Sequence, residues 1–136
     1  MKKLIVVVIA AVALSGCAKT FKSNISEVTP VTGISSICIE DNIRVEIPLG
    51  TWIKIAANDN GYSIDREDCE AVVTYTALRY FDFHAPLAEA RVTVKANGVV
   101  KGSLYFQQPA NMFTGDKYMT PSIKILTPML NELFEH

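Results

Sequence analysis

Histidine, cysteine and tryptophan are scarce in this chain of 136 residues, which holds two His, three Cys and one Trp. A metal centre built by a protein needs several His or Cys ligands at suitable spacing. The two histidines, His84 and His136, lie far in sequence from Cys38 and Cys69. We therefore expect no metal site. A G-x-S-x-G element is also missing, which removes the usual sequence sign of a serine nucleophile.

The chain has no block of like charge, and its formal net charge is −1. Without Lys2 and Lys3, which belong to the leader described next, 11 basic residues face 14 acidic ones, giving about −3. A nucleic-acid-binding surface needs clustered Lys and Arg. We expect no nucleic-acid partner, which leaves an envelope protein, an envelope polymer or a small molecule open.

The chain also lacks an apolar run long enough to span a bilayer, which takes about 20 residues. The run from Leu4 to Leu14 is shorter, and it follows the positive segment Met1-Lys2-Lys3 as in a secretion signal. It ends in Leu14-Ser15-Gly16-Cys17, which resembles the lipobox of bacterial lipoproteins. The resemblance implies cleavage before Cys17, a diacylglycerol on its thiol, and a fatty acid such as palmitate on the new amino terminus.

Ala18 directly follows Cys17. By resemblance to the Gram-negative sorting rule, an Asp at this position favours the inner membrane, so Ala18 favours the outer membrane. Two or more acyl chains anchor a protein stably, whereas one does so only marginally. We expect an outer-membrane lipoprotein whose domain faces the periplasm and which needs no cofactor beyond its covalent lipid.

Composition divides the chain into three regions: a signal peptide over 1–16, a lipid anchor and flexible tether over 17–33, and a single domain over 34–136. The tether is rich in Ser, Thr and Lys, a composition that buries little surface. The domain is long enough for one modest core. We predict an α+β fold: a small sheet with a bulged β-hairpin, one central helix and a C-terminal helix packed on one face.

Three segments carry strand patterns, namely Ser36 to Glu40, the β-branched and aromatic run from Cys69 to Phe83, and the alternating run from Ala88 to Lys95. Apolar residues from Glu46 to Asn60 recur at helical spacing, with Gly61 as a C-terminal cap. The same region also permits a hairpin, since residues 43, 45 and 47 alternate and a proline and a glycine follow. We favour the helix.

The hairpin after Ala88 to Lys95 turns at Asn97-Gly98. A three-residue loop, with Gly98 in the left-handed conformation, keeps the apolar faces together by placing Val94 opposite Val100. The same register pairs Val92 with Gly102 and Ala90 with Leu104. A final helix is predicted to begin near Thr120-Pro121, and Pro128 is expected to kink or restart it.

Cys38 and Cys69 are the two cysteines that remain once Cys17 is acylated. They would enter an oxidising compartment, where disulfides form and persist. Each lies at a predicted strand, and parallel neighbouring strands would bring them close. We predict a Cys38–Cys69 disulfide.

Candidates for chemistry are few. His84, with Asp82 nearby, is the only conceivable acid-base pair, and a surface or capping histidine is the more ordinary interpretation. Met112 and Phe113, in a polar segment, are candidates for a partner surface, although both side chains would also fit a buried position. Residues 98–103 lack the spacing of a phosphate loop, and residues 58–61 fit a helix cap better than a calcium loop.

Three stretches, residues 36–42, 69–82 and 97–105, resemble a family of small uncharacterised Sbal-type proteobacterial lipoproteins. The likeness covers nearly all of the mature domain, and its motifs are structural: two strands with cysteine and a glycine hairpin. That family is richer in Trp where this chain has Leu78-Arg79-Tyr80-Phe81. The order of elements also resembles envelope lipoproteins whose α+β domain packs helices on one sheet face, among them components of secretion and envelope-assembly machines.

These observations together predict a membrane-anchored envelope lipoprotein that is a non-catalytic accessory or binding module. The alternatives are an envelope-acting hydrolase that uses His84, and an inhibitor or immunity-type lipoprotein.

Overall fold

The computed structural model describes residues 24–79, 87–108 and 121–136. Several predicted site residues lie outside these ranges, so their roles stay predictions: Cys17, Asp82, His84, Met112 and Phe113.

The described residues form a six-stranded mixed sheet and two helices, which confirms the α+β class. The strands are β1 (Ile25–Thr29), β2 (Ser36–Ile39), β3 (Ser63–Ile64), β4 (Ala71–Arg79), β5 (Leu87–Ala96) and β6 (Val99–Gln107). The helices are α1 (Leu49–Asp59) and α2 (Ser122–Leu133). The sheet order is β1-β6-β5-β4-β2-β3. No helix within the described ranges is both long and apolar enough to span a membrane.

Alternation along the central strands builds the core. In β5 the side chains of Ala90, Val92, Val94 and Ala96 are buried, whereas those of Arg91 and Lys95 between them are exposed. The helices add their own buried residues to the same cluster, namely Leu49, Ile53, Ala56 and Ala57 of α1 and Leu126, Met129, Leu130 and Leu133 of α2. One apolar core therefore unites the sheet and both helices.

The helix predicted from Glu46 to Asn60 is present, so the hairpin alternative is wrong. The helix begins only at Leu49. Pro48 restricts Ile47, the residue before it, to extended backbone, so the helix cannot start earlier. Proline itself is well suited to the start of a helix. At its end Gly61 has a φ of 87°, and the Tyr62 N–H donates to the Ala57 carbonyl at 3.0 Å. These are the features of a Schellman cap, which confirms the predicted role of Gly61.

The tether prediction is wrong for its second half. Residues 25–29 form β1, which pairs antiparallel with β6, and Thr29 lies opposite Ser103. Val31 is buried, and its N–H donates to the Leu133 carbonyl at 2.7 Å. Most β1 side chains are exposed, so backbone pairing rather than burial holds this edge strand, and composition carries no sign of it.

The predicted hairpin register is also wrong. Asn97 and Gly98 both have positive φ, 50° and 77°, and form a two-residue loop with Ala96 opposite Val99. Lys101 is then the extra residue of a β-bulge, so that Val94 pairs with Gly102 instead of Val100. Val92 therefore pairs with Leu104, and Ala90 with Phe106. The extra residue at the bulge brings the apolar faces of β5 and β6 together, which the prediction had attributed to a three-residue loop.

Cys38 and Cys69 form a disulfide with their Cα atoms 5.5 Å apart, which confirms the predicted bridge. Cys38 lies in β2, and Cys69 lies two residues before the start of β4, the parallel neighbour of β2. At the other end of the fold, α2 continues through Pro128 as one helix, so the restart considered for that position does not occur.

Candidate functional site

A tight turn joins β2 to α1 and is braced against β4. We call residues Asp41 to Val45 the Ile43 turn. The backbone N–H of Asn42 donates to the Tyr75 hydroxyl at 3.1 Å, and its side-chain amide donates to the Tyr75 carbonyl at 3.0 Å. Within the turn, the Arg44 N–H donates to Asn42 Oδ1 at 3.0 Å and the Val45 N–H to the Asn42 carbonyl at 3.1 Å. Four hydrogen bonds thus fix its conformation.

Tyr75 takes part in this arrangement because α1 comes close to it. A Cβ atom on Gly50, the second residue of α1, would lie only 2.7 Å from the Tyr75 hydroxyl oxygen. Glycine therefore leaves room for the hydroxyl between the helix and the Ile43 turn. The Tyr75 ring itself is buried, so the turn rests on a rigid part of the core.

The braced turn displays an apolar side chain in water, since Ile43 is 99% exposed. Arg44 beside it is also exposed. Clefts of about 330 and 250 Å³ flank the turn and share Asp41, Asn42, Ile43 and Tyr75 as lining residues. The hydrogen bonds hold the backbone of the turn, so Ile43 projects into solvent from a defined position and is a candidate contact for a partner.

A second apolar surface lies between the two helices. We call it the helix groove; its volume is about 190 Å³, and it is lined by Trp52, Ile55, Ala56, Asp59, Ile123, Thr127, Leu130 and Asn131. Ile55 is 55% exposed and Ile123 43% exposed. The groove is therefore open to solvent and mostly apolar, with Asp59 as its one charged lining residue.

Arg44 in the Ile43 turn and Asp59 at the helix groove take part in no ion pair within the described ranges. The ion pairs found there are Arg79 with Glu46 at 3.6 Å and Arg91 with Glu89 at 3.9 Å, and neither includes Arg44 or Asp59. Burial raises the pKa of Tyr62, which stacks on His136 and lines neither surface. In the part of the chain that the structure describes, no group of three or more His, Cys, Asp or Glu is placed to hold a metal ion.

The structure brings together residues that the sequence analysis did not single out as a site. Ile43 was placed in an alternating apolar pattern with Val45 and Ile47, and only the latter two pack against the core. The one local signal is Asn42 two residues before Arg44, the spacing of an Asx turn, which favours a rigid bend. Contact with Tyr75 had no signal in the sequence.

No family model matches this chain, and no curated protein matches it. Solved structures that are similar in fold include two of PelC. A dodecamer of a PelC variant from Paraburkholderia phytofirmans has a TM-score of 0.54 and 8% identity, covering 82% of this chain and 94% of that chain. A PelC dodecamer from the same organism has a TM-score of 0.51 and 12% identity with the same coverage. At these identities the likeness extends to the fold alone.

Proposed function

We propose that this chain is a lipid-anchored module of the bacterial outer membrane that acts by binding and not by catalysis. The observation that carries the proposal is the disulfide between Cys38 and Cys69. Such bonds persist in oxidising compartments. The disulfide therefore supports export independently of the signal peptide and of the lipobox that ends at Cys17. The resemblance of three stretches of the chain to the Sbal-type lipoproteins agrees with the same location.

The binding role is supported by the surfaces of the domain. In this proposal both helices cover one face of the sheet, and the Ile43 turn and the helix groove are left for partners. The similar PelC proteins form dodecamers. We extend that property to this chain and propose that it assembles with further copies of itself at the membrane.

The anchor is tested by Cys17→Ser. The wild-type chain should incorporate labelled palmitate and sediment with outer membranes, whereas the variant should incorporate none and be released or remain as precursor. A matched control is the pair Cys38→Ser and Cys69→Ser, which should still be labelled because neither cysteine follows a lipobox. A Cys17→Ser chain that fractionates with the outer membrane as fully as wild type would show the anchor proposal to be wrong.

The binding role is tested by cross-linking in intact cells, followed by mass spectrometry of the captured partners. Recovery of a stoichiometric assembly that contains several copies of this chain is the expected result. If cross-linking captures no protein, including no second copy of this chain, the proposal that the domain binds a protein is wrong. A glycan or lipid ligand then becomes the alternative.

A further inference from the structure

We propose that Ile43 of one copy inserts into the helix groove of a second copy, with Arg44 placed against Asp59, so that copies join head to tail. This inference rests on the self-assembly in the proposed function and names the surfaces that perform it.

The Ile43 turn has the properties of an anchor. Its isoleucine is 99% exposed, so nearly the whole side chain is available for burial by a partner. The backbone that carries Ile43 is held by hydrogen bonds that involve Asn42 and Tyr75. A turn whose backbone is already ordered loses less conformational freedom on binding than a mobile loop would, which favours association.

The helix groove has the size and chemistry to receive such a side chain. Its volume is about 190 Å³. By comparison, a cavity of about 150 Å³ lined by aliphatic side chains is large enough to bind benzene. Ile55 and Ile123 are half exposed at the groove, so an inserted aliphatic side chain would also cover part of their surface.

Charge complementarity favours a second copy as the occupant. Arg44 follows Ile43 directly, and Asp59 lines the groove. Both are exposed, and within the described ranges neither takes part in an ion pair. Opposite charges beside an apolar contact fix its orientation and disfavour wrong partners.

The two surfaces lie on different flanks of α1, which makes the contact intermolecular. The cleft beside the Ile43 turn is lined by Gly50, Thr51 and Lys54, whereas the groove uses Trp52, Ile55 and Asp59. At 3.6 residues per turn, these sets point in directions more than about 90° apart. Since the surfaces differ, the contact is heterologous, and repetition of it produces a ring or a filament.

The test uses the full mature lipoprotein, purified in detergent, with its mass followed over a range of concentrations by sedimentation velocity. Ile43→Asp and Ile123→Asp should each weaken self-association by at least about tenfold. Val99→Asp is the matched control, because Val99 is 57% exposed and belongs to neither surface, and it should leave assembly unchanged. Thermal unfolding checks that each variant is folded. The Ile123→Asp chain is expected to fold, because an acidic residue in the first turn of α2 interacts favourably with the helix dipole.

Mixing distinguishes the proposed contact from indirect effects. An equimolar mixture of the Ile43→Asp and Ile123→Asp chains should form dimers, because each pair retains one intact turn and one intact groove. Arg44→Glu and Asp59→Arg should each weaken assembly, and their combination in one chain should restore it.

Three results would overturn the inference in distinguishable ways. A wild-type chain that stays monomeric at every concentration contradicts the self-assembly in the proposed function itself. Assembly that survives both Ile43→Asp and Ile123→Asp leaves self-assembly standing and rejects these surfaces. Variants that dissociate but neither pair in the mixture nor recover by charge exchange show that the turn and the groove are not each other's partners.

Discussion

At the level of single residues, Gly102 allows Val31, in the segment after β1, to approach β6 closely. A Cβ atom at this position would lie 2.6 Å from Val31 Cγ2 and 2.9 Å from the Val31 Cα. Gly102→Ala should therefore lower the free energy of unfolding by about 1 to 3 kcal/mol, because the backbone at Val31 must shift. Urea denaturation measures the change. Ser103→Ala, on the next residue, is the control and should stay within about 0.5 kcal/mol of wild type.

Single residues also show which structural roles could be predicted from the sequence and which could not. Cys38 and Cys69 were paired correctly because compartment, count and strand position left few alternatives. Asn42 and Ile43 were not identified, because the brace depends on Tyr75, 33 positions further along the chain. Apolar residues are expected to be buried, so a pattern of hydrophobicity cannot indicate an isoleucine that the fold holds in solvent.

Among the elements, the hairpin between β5 and β6 depends on the conformation of its two loop residues. Gly98 has a φ of 77°, and a side chain in the left-handed region costs roughly 1 to 2 kcal/mol. Gly98→Ala should lower the stability of the domain by about that amount in a denaturation experiment. Asn97→Gly is the matched control, because glycine accepts the φ of 50° at Asn97 without a penalty, and should leave stability nearly unchanged. Equal losses in both variants would contradict this account of the turn.

The elements that the sequence predicted well are those that bury one face. Alternation identified β5, and helical spacing with a glycine cap identified α1. β1 was assigned to the tether because its stability comes from backbone hydrogen bonds with β6, which any composition can make. The hairpin register failed for a related reason, since a bulge at Lys101 inserts one residue without a mark in the pattern of polarity.

For the molecule as a whole, the disulfide closes a loop that contains α1 and β3. Its cysteines are 31 positions apart, so the chain-entropy model gives a stabilisation of about 3 to 4 kcal/mol. Cys38→Ala combined with Cys69→Ala should lower the free energy of unfolding by that amount. Reductant should destabilise the wild-type domain similarly and leave the double variant unaffected. Two free thiols in the unreduced, denatured wild-type chain would contradict the bridge.

If Cys17 carries the lipid as proposed, the early start of β1 limits how far the domain can stand from the membrane. Only eight chain steps separate Cys17 from Ile25. Because an extended residue spans at most about 3.6 Å, the linker between the two residues is shorter than about 30 Å. A tether running to Gly33, 16 chain steps from Cys17, would have allowed twice that height. If Cys17 carries the lipid as proposed, neighbouring copies are confined to one thin layer above the bilayer and meet with part of their rotational freedom already removed. Stable association in that layer then requires a smaller interface area than the same domains would need in free solution.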